Sequence, residues 1–516
     1  MTLADKILCD DPEKLKAIIF ENEKRYQERI DHLEQIIRLL KNEIFGKKSE
    51  KRPAPDGQQL LLFDEADSQP QLEPATTQVP AHSRKKRGRK PLPADLARVD
   101  IVHDIDEKDK TCACGCQLKR IGEETCEKLD YVPAQLTVER HIRPKYACPN
   151  CQGVEDEGAT VKIAPPPVQL IPKSMATAGL IAHIVVSKFE DALPLYRQEK
   201  IFARLGIDLP RSTMATWMIK AVERAGPLLT LLKKQVSSGP LVNIDETPLQ
   251  VLNEPGRKNT TKSYMWVYRG GDPAHPVLYY QYHPTRAGDV PKTFLENYKG
   301  YVQTDGYSGY EALGRQPGIY LLACWAHARR NFDKVIKAKA NPQKQSLADE
   351  AMGYIGRLYG IEKQARKENL DVYQLREYRQ VHAKPVLEEF KKWLDAKAPT
   401  TPPKGLLGKA IKYTLKFWDR LIVYIEDGHL RPDNNLAENA IRPFVVGRKN
   451  WLFSGHPNGA HASAALYSLI ESAKANGLKP YAYLRYMFDR LPHCETEDDY
   501  KKLLPCFMDP SVLSAD

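Results

Sequence analysis

The stretch Leu241-Val242-Asn243-Ile244-Asp245-Glu246-Thr247-Pro248-Leu249-Gln250-Val251-Leu252 is apolar, rich in β-formers, and interrupted by an acidic pair. Such a run reads as a strand. An ionised carboxylate inside it is costly unless it is matched by a cation or holds a metal ion. Asp245 is therefore either half of an ion pair with an Arg or Lys, or a functional group. Toward the C-terminus, Ser263–Arg269 and Val277–Tyr282 have the same strand character, and Asp289–Tyr298 is helix-like. Tyr301–Asp305 is a strand broken at Gly306, Ser308–Leu313 a short helix and Ile319–Ala323 a further strand.

That order, three strands, helix, strand, helix, strand, matches the core of a ribonuclease-H-like fold, a mixed sheet with helices on its faces. The first part of this core is expected over residues 237–326. Residues 327–425 carry helical patterning with few strand signals and read as a helical insertion. Residues 426–491 read as the end of the core, with short loops and two further helices. The fold class is multidomain α/β, as a length of 516 residues also requires.

Two more carboxylates stand where a metal-dependent phosphodiester chemistry would need them. Cleavage by water and attack by a DNA 3′-hydroxyl both use paired divalent ions, and such hard ions take carboxylate oxygens. In Gln303-Thr304-Asp305-Gly306, Asp305 ends a strand that neighbours the Asp245 strand in the inferred fold. In Asn434-Asn435-Leu436-Ala437-Glu438-Asn439-Ala440-Ile441, Glu438 projects from the first turns of a helix. Either Leu436 and Ala440 or Ala437 and Ile441 would face the sheet. Residue context alone leaves a structural alternative, since Asp305 could cap the turn at Gly306.

Upstream of the core the chain divides into smaller blocks. Tyr26, Ile30, Leu33, Ile37, Leu40 and Ile44 are spaced 4, 3, 4, 3, 4. Residues 13–46 therefore read as a coiled-coil zipper that joins copies of the chain, or as an amphipathic helix packed on its own chain. Residues 47–100 are a polar, Pro-containing linker. It holds Arg84-Lys85-Lys86-Arg87-Gly88-Arg89-Lys90-Pro91, whose Arg87, Arg89 and Lys90 suit DNA phosphates or a narrow minor groove.

Residues 101–163 hold six of the ten cysteines: Cys112, Cys114, Cys116, Cys148 and Cys151, and Cys126, which is read as lying outside the metal site. Cys148-Pro-Asn-Cys151 is a zinc knuckle, so a structural Zn²⁺ site is expected there. Residues 174–236 read as a helix-turn-helix, or as an ordinary helix pair. Leu195–Leu205 and Arg211–Val222 flank a turn at Gly206, and Arg211, Ser212, Thr213, Thr216 and Lys220 form a polar face that could enter a major groove. The net charge of +11 is compatible with a polyanionic partner. No run of about 18 apolar residues exists, so no membrane span is expected. Met1–Asp11 lacks an apolar signal core, so secretion is not expected.

Seven motifs follow one another in a familiar order. They are Phe45-Gly46-Lys47-Lys48-Ser49-Glu50, Lys145-Tyr146-Ala147-Cys148-Pro149-Asn150-Cys151, Asp245-Glu246-Thr247, Thr304-Asp305-Gly306-Tyr307, Cys324-Trp325-Ala326-His327-Ala328-Arg329-Arg330, Glu438-Asn439-Ala440-Ile441-Arg442-Pro443 and Gly447-Arg448-Lys449-Asn450-Trp451-Leu452-Phe453. From about Leu15 to Leu491 the chain resembles transposases of the bacterial insertion-sequence 66 family. The resemblance implies a DDE-type transposase with Asp245, Asp305 and Glu438 as its catalytic triad on Mg²⁺ or Mn²⁺. It would nick the ends of its own element and direct the freed 3′-hydroxyls onto target DNA, without a covalent protein–DNA intermediate.

The resemblance also implies Cys112 and Cys114 with Cys148 and Cys151 as the Zn²⁺ ligands, Cys116 being able to replace either of the first two. His327, Arg329 and Arg330 are expected near the phosphate path, and Arg442, Arg448 and Lys449 on element-end phosphates. Expected partners are DNA, further copies of the chain and accessory proteins of the same element, in the bacterial cytoplasm at the nucleoid. The rival readings are a non-catalytic DNA-binding regulator and a nuclease of the same fold that does not join.

Overall fold

The computed structural model describes residues 12–45, 136–147, 161–341 and 343–514. The chain forms two compact units, one of residues 1–62 with 167–516 and one of residues 63–166. In the smaller unit, β1 (Lys145–Ala147) pairs antiparallel with β2 (Val161–Ile163). The five cysteines of the knuckle region and Arg87, Arg89 and Lys90 lie outside the described residues.

The larger unit opens with α1 (Pro12–Phe45), a 34-residue helix over the expected zipper. It docks on its own chain through two polar side chains. Arg38 Nε donates to Ala338 O at 3.1 Å and Asn42 Nδ2 to Lys337 O at 3.2 Å, filling carbonyls left open at a helix C-terminus. The apolar seam does not take part and stays exposed, with Leu33 at 49% and Ile37 at 51%.

Four helices follow: α2 (Ala178–Phe189), α3 (Leu195–Arg204), α4 (Arg211–Arg224) and α5 (Gly226–Val236). The helix, turn and helix expected over 195–222 are present, and Gly206 takes a positive φ of 81° in the turn. Arg211, Ser212 and Lys220 are exposed and Thr213 is half-buried. Phe202, Met214, Trp217, Met218 and Leu232 point the other way, into the same apolar core that packs the sheet. These helices are thus built onto the sheet rather than standing apart from it.

The sheet has five strands: β3 (Leu241–Gln250), β4 (Lys262–Asp272), β5 (His275–His283), β6 (Gly300–Gln303) and β7 (Ile319–Leu322), in the order β5-β4-β3-β6-β7. The first three form an antiparallel meander, while β6 and β7 run parallel to β3. The short α6 (Asp289–Phe294) and a 3₁₀ turn over Ser308–Arg315 supply the connections. β3 keeps both neighbours only over its first residues, because β6 stops opposite Asn243. Pro248 falls beyond that point, where its missing N–H breaks no ladder.

The insertion is helical, as expected: α7 (Trp325–Lys337), α8 (Leu347–Lys367), α9 (Val372–Lys397) and α10 (Leu406–Lys416), around a second apolar core. After it come three long helices rather than the two expected: α11 (Asn435–Trp451), α12 (Pro457–Ala475) and α13 (Pro480–Arg490). Pro443 sits inside α11, where a sequence reading places a break. α12 covers the outer strand. Ser468 Oγ accepts the Tyr280 N–H at 2.7 Å and Ser472 Oγ the Leu278 N–H at 2.9 Å, so this edge offers those two groups to no other chain.

Candidate active site

Asn243 and Gln303 are the last paired positions of β3 and β6. Asp245 and Asp305 each lie two residues further on. Side chains two apart on a strand share a face, so both carboxylates leave the sheet on the same face at the same end. The third arrives on α11, which buries Ala437, Ala440, Ile441 and Phe444 and carries Glu438 in its first turn. Of the two alternatives read from the sequence, the face with Ala437 and Ile441 is the buried one, with Ala440 joining it.

A buried amide network sits directly beneath the three carboxylates. Asn243 Nδ2 donates to Gln303 Oε1 at 2.9 Å and to Asn434 Oδ1 at 3.0 Å. Asn434 Nδ2 donates to Ile244 O at 2.9 Å, and Gln303 Nε2 to Arg431 O at 2.9 Å. The Asn434 N–H also reaches Cys324 Sγ at 3.2 Å. Two strands and the starts of α7 and α11 are thereby tied together one step below the acids.

The carboxylates differ in their partners. Asp305 Oδ1 accepts the Tyr307 N–H at 2.8 Å and so caps the turn at Gly306, whose φ is 88°. Glu438 is gripped by Arg330, which donates from both Nη atoms, and lies 3.6 Å from His327 Nδ1. Glu246 is held by Arg286 and by the Tyr310 hydroxyl. The same Arg286 lies 4.0 Å from Asp305 Oδ2 and stacks its guanidinium 3.8 Å over the Tyr307 ring.

Asp245 accepts the Glu246 N–H at 2.9 Å and forms no ion pair among the described residues. Burial, then Glu246 and Glu438, with Asp305 adding, push its carboxyl up to about 8. The ion-pair alternative for Asp245 therefore fails. What the centre of the cluster lacks is positive charge, and its donors are hard oxygens, the set that divalent cations take. Cys324, His327 and Glu438 also bring ligand atoms within 4.8 Å of one another. Burial holds the Cys324 thiol up at about 12, and its sulfur already accepts the Asn434 N–H. Burial pushes the His327 imidazole down.

The basic residues expected around the site separate into two groups. Arg330 and His327 face Glu438, and Arg448 Nη1 donates to Thr247 Oγ1 at 3.1 Å, beside β3. Arg442 and Lys449 are exposed on α11. Arg329 departs from expectation. Only 1% exposed, it points into the fold near Tyr359 and meets no external phosphate. One helical step separates it from Arg330, and that rotation turns the two guanidiniums to different sides.

Sequence reasoning missed Arg286, Tyr310 and the amides Asn243, Gln303 and Asn434. The i, i+2 spacing of Asn243 to Asp245 and of Gln303 to Asp305 was a usable signal. Arg286 carried none, because only the fold brings it to Glu246.

Comparison with known proteins gives the same order of parts. The family model described as "Transposase IS66 family" matches residues 173–462, a span that holds all three carboxylates and the whole sheet. The chain belongs to the IS66 transposase family. Three further models of that family match other parts: "Transposase C of IS166 homeodomain" at 32–101, "zinc-finger binding domain of transposase IS66" at 109–152 and "IS66 C-terminal element" at 468–506. Two relatives match nearly the whole chain. It is 34% identical to the uncharacterized protein y4jD of Sinorhizobium fredii over 98% of each chain. It is 31% identical to the uncharacterized protein y4qI of the same organism, over 97% of this chain and 92% of the relative. The zinc-finger match encloses all five knuckle cysteines and supports a structural zinc. No described helix is long and apolar enough to cross a membrane.

Proposed function

We propose that this transposase cleaves DNA at the ends of its insertion sequence and joins the freed 3′-hydroxyls to target DNA, using Asp245, Asp305 and Glu438 on a ribonuclease-H-like core. One observation carries the reading. Carboxylates separated by 60 and 133 positions converge at one end of a mixed sheet, around an Asp245 with no cation of its own among the described residues. A strand order of β5-β4-β3-β6-β7, with an antiparallel meander beside two parallel strands, supports the fold assignment.

Divalent ions such as Mg²⁺ or Mn²⁺ activate the incoming oxygen and stabilise the leaving one when bound at such a site. Asp245, Asp305 and Glu438 supply the oxygen donors. The amide network fixes where those donors stand. Arg286 and Arg330 set positive charge at the rim, facing the path of the DNA backbone. The exposed Arg211, Ser212 and Lys220 with Thr213 on α4, the basic linker at Arg87, Arg89 and Lys90, and Arg442, Arg448 and Lys449 on α11 supply the DNA contacts. Cys112, Cys114, Cys148 and Cys151 hold the zinc. α1 joins copies of the chain, accessory proteins of the element assist, and the work is done on DNA in the bacterial cytoplasm.

A strand-transfer assay with labelled element ends and Mg²⁺ or Mn²⁺ tests this. The wild type is expected to give joined product. Asp245→Asn, Asp305→Asn and Glu438→Gln each are expected to lower it by on the order of a thousandfold, the equivalent of several kcal/mol of charge stabilisation. Cleavage without joined product would make the protein a nuclease. Binding without cleavage, unchanged in the three variants, would make it a regulator.

A further inference from the structure

A second site lies at the other end of the helix that carries Glu438. Between α2, α4, the end of α11 and the start of α12 there is a cavity of about 160 Å³, several times the roughly 30 Å³ share of one water. Its walls include Lys188, Met218, Trp451, Phe453 and Leu466, and the exposed Phe453 and Gly455 mark its mouth.

The cavity is built rather than left over. The Trp451 ring lies so close to Gly447 that any Cβ there would stand 2.2 Å from Trp451 Cη2. Phe189 meets the ring edge-on, at 6.1 Å between centroids. Lys188 Nζ stands 4.3 Å from the centre of the same ring and forms no ion pair among the described residues. Burial alone pushes this ammonium down to about 8. The wall is therefore apolar, with the rings of Phe189, Trp451 and Phe453 among aliphatic side chains, and one ammonium, held only against aromatic faces, is set in it.

The rim is strained and anchored. Leu452 ends α11 with a φ of 68°, a conformation that side chains other than glycine rarely adopt. Held that way, Leu452 and Phe453 stand exposed side by side, at 65% and 44%. The next residue is tied to the active-site strand, Ser454 N–H to Gln250 O at 3.0 Å and Leu252 N–H to Ser454 O at 2.8 Å. Glu438 and Trp451 are 13 residues apart on one helix, about 20 Å of rise.

We propose that this cavity takes a nucleobase turned out of a DNA stack, with Leu452 and Phe453 as the apolar wedge that enters the gap it leaves. A flipped base is read by stacking on aromatic walls and by hydrogen bonds to its edge, and wedges of this kind part base steps. Every base has carbonyl or ring-nitrogen acceptors for Lys188. The spacing along α11 puts the extruded nucleotide about six base pairs' length from the carboxylates. The inference rests on the DNA reading of the protein, not on its catalysis.

The test is equilibrium binding of the full chain, without divalent metal, to three duplex oligonucleotides: fully paired, carrying one bulged thymidine, and carrying an abasic bulge at the same place. The wild type is expected to prefer the thymidine bulge to the abasic one by about tenfold, the scale that stacking one base supplies. A 2-aminopurine at the bulge should change its fluorescence on binding. Trp451→Ala is expected to lose the preference and keep its affinity for paired duplex. Trp451→Phe should retain most of the preference, and Lys188→Met, which leaves the aromatic wall in place, should reduce it.

Equal binding of all three duplexes by the wild type overturns the proposal and leaves the DNA reading standing, and binding of none sinks both. A preference that survives in Trp451→Ala, or that Lys188→Met leaves at its wild-type size, also overturns it. So does a fall in the mass of free Trp451→Ala protein with the bulge preference unchanged, which would assign the cavity to a side chain of a second copy.

Discussion

Asp245 is a carboxylate displaced far from its ordinary range, and the direction of that displacement gives a pH prediction. The folded carboxyl titrates at about 8, against 3.8 for an ordinary Asp. Between those values the folded state holds a proton that the unfolded state has lost. Stability of the metal-free protein therefore falls as pH rises through this window, by up to about 1.4 kcal/mol per pH unit from this group, and levels off above pH 8. Chemical denaturation in EDTA across pH 5–9 should show that slope, and Asp245→Asn should flatten it. The same proton must leave when a cation binds, so Mn²⁺ affinity measured by calorimetry should weaken steadily below pH 8. A slope shared equally by the variant would mean that the load sits elsewhere.

Asn434 is the residue at which the amide network is most exposed to test. Its side chain both accepts from Asn243 and donates to Ile244 O, in a fully buried place. Asn434→Ala leaves two buried groups unsatisfied and should cost about 2–3 kcal/mol in denaturant midpoint analysis. Strand transfer should fall as well, since α11 loses its tie to β3. A variant that loses stability and keeps full activity would show that the network only holds the fold. Asp245 and Asp305 were readable from the sequence because each breaks an apolar strand. The amides were not, because a polar residue in a strand looks the same whether its partner is water or another strand.

At the scale of elements, legibility followed periodicity. The strands β3 to β7 were readable as runs rich in β-branched and aromatic residues, those of β4, β5 and β6 ending close to a Gly or Pro, and the insertion because its helices repeat cleanly. α11 and its successors were harder, since Pro443, Pro457 and Pro480 punctuate them and only packing against the sheet keeps α11 continuous through Pro443. α1 was readable as a helix, but its partner was not. The structure uses Arg38 and Asn42 to fasten it and leaves the seam outward, which is the arrangement a zipper between copies requires. Light scattering should give a multiple of the chain mass for the full protein and the single mass for a chain lacking residues 1–50. Leu33→Asp with Ile37→Asp should give the single mass too, with the sheet intact by circular dichroism. An unchanged mass in both would remove α1 from assembly.

At the scale of the molecule, the two apolar cores and the carboxylate site belong to one unit and the cysteine knuckles to the other. The free cysteines described in the larger unit are Cys324, Cys494 and Cys506, of which two are buried. Cys324 is engaged as a hydrogen-bond acceptor, and the three are not gathered into a zinc-like set. Zinc should therefore stabilise its own unit and contribute little to the larger one. Purified protein is expected to contain about one zinc per chain by elemental analysis, the count a four-cysteine site demands. Stripping it with a chelator should leave the main cooperative unfolding transition of the larger unit within about a degree, while weakening the binding of element-end DNA. If the main transition collapses with the zinc, the two units depend on each other for folding. If no zinc is found, and chelation changes neither unfolding nor DNA binding, the knuckles hold no metal.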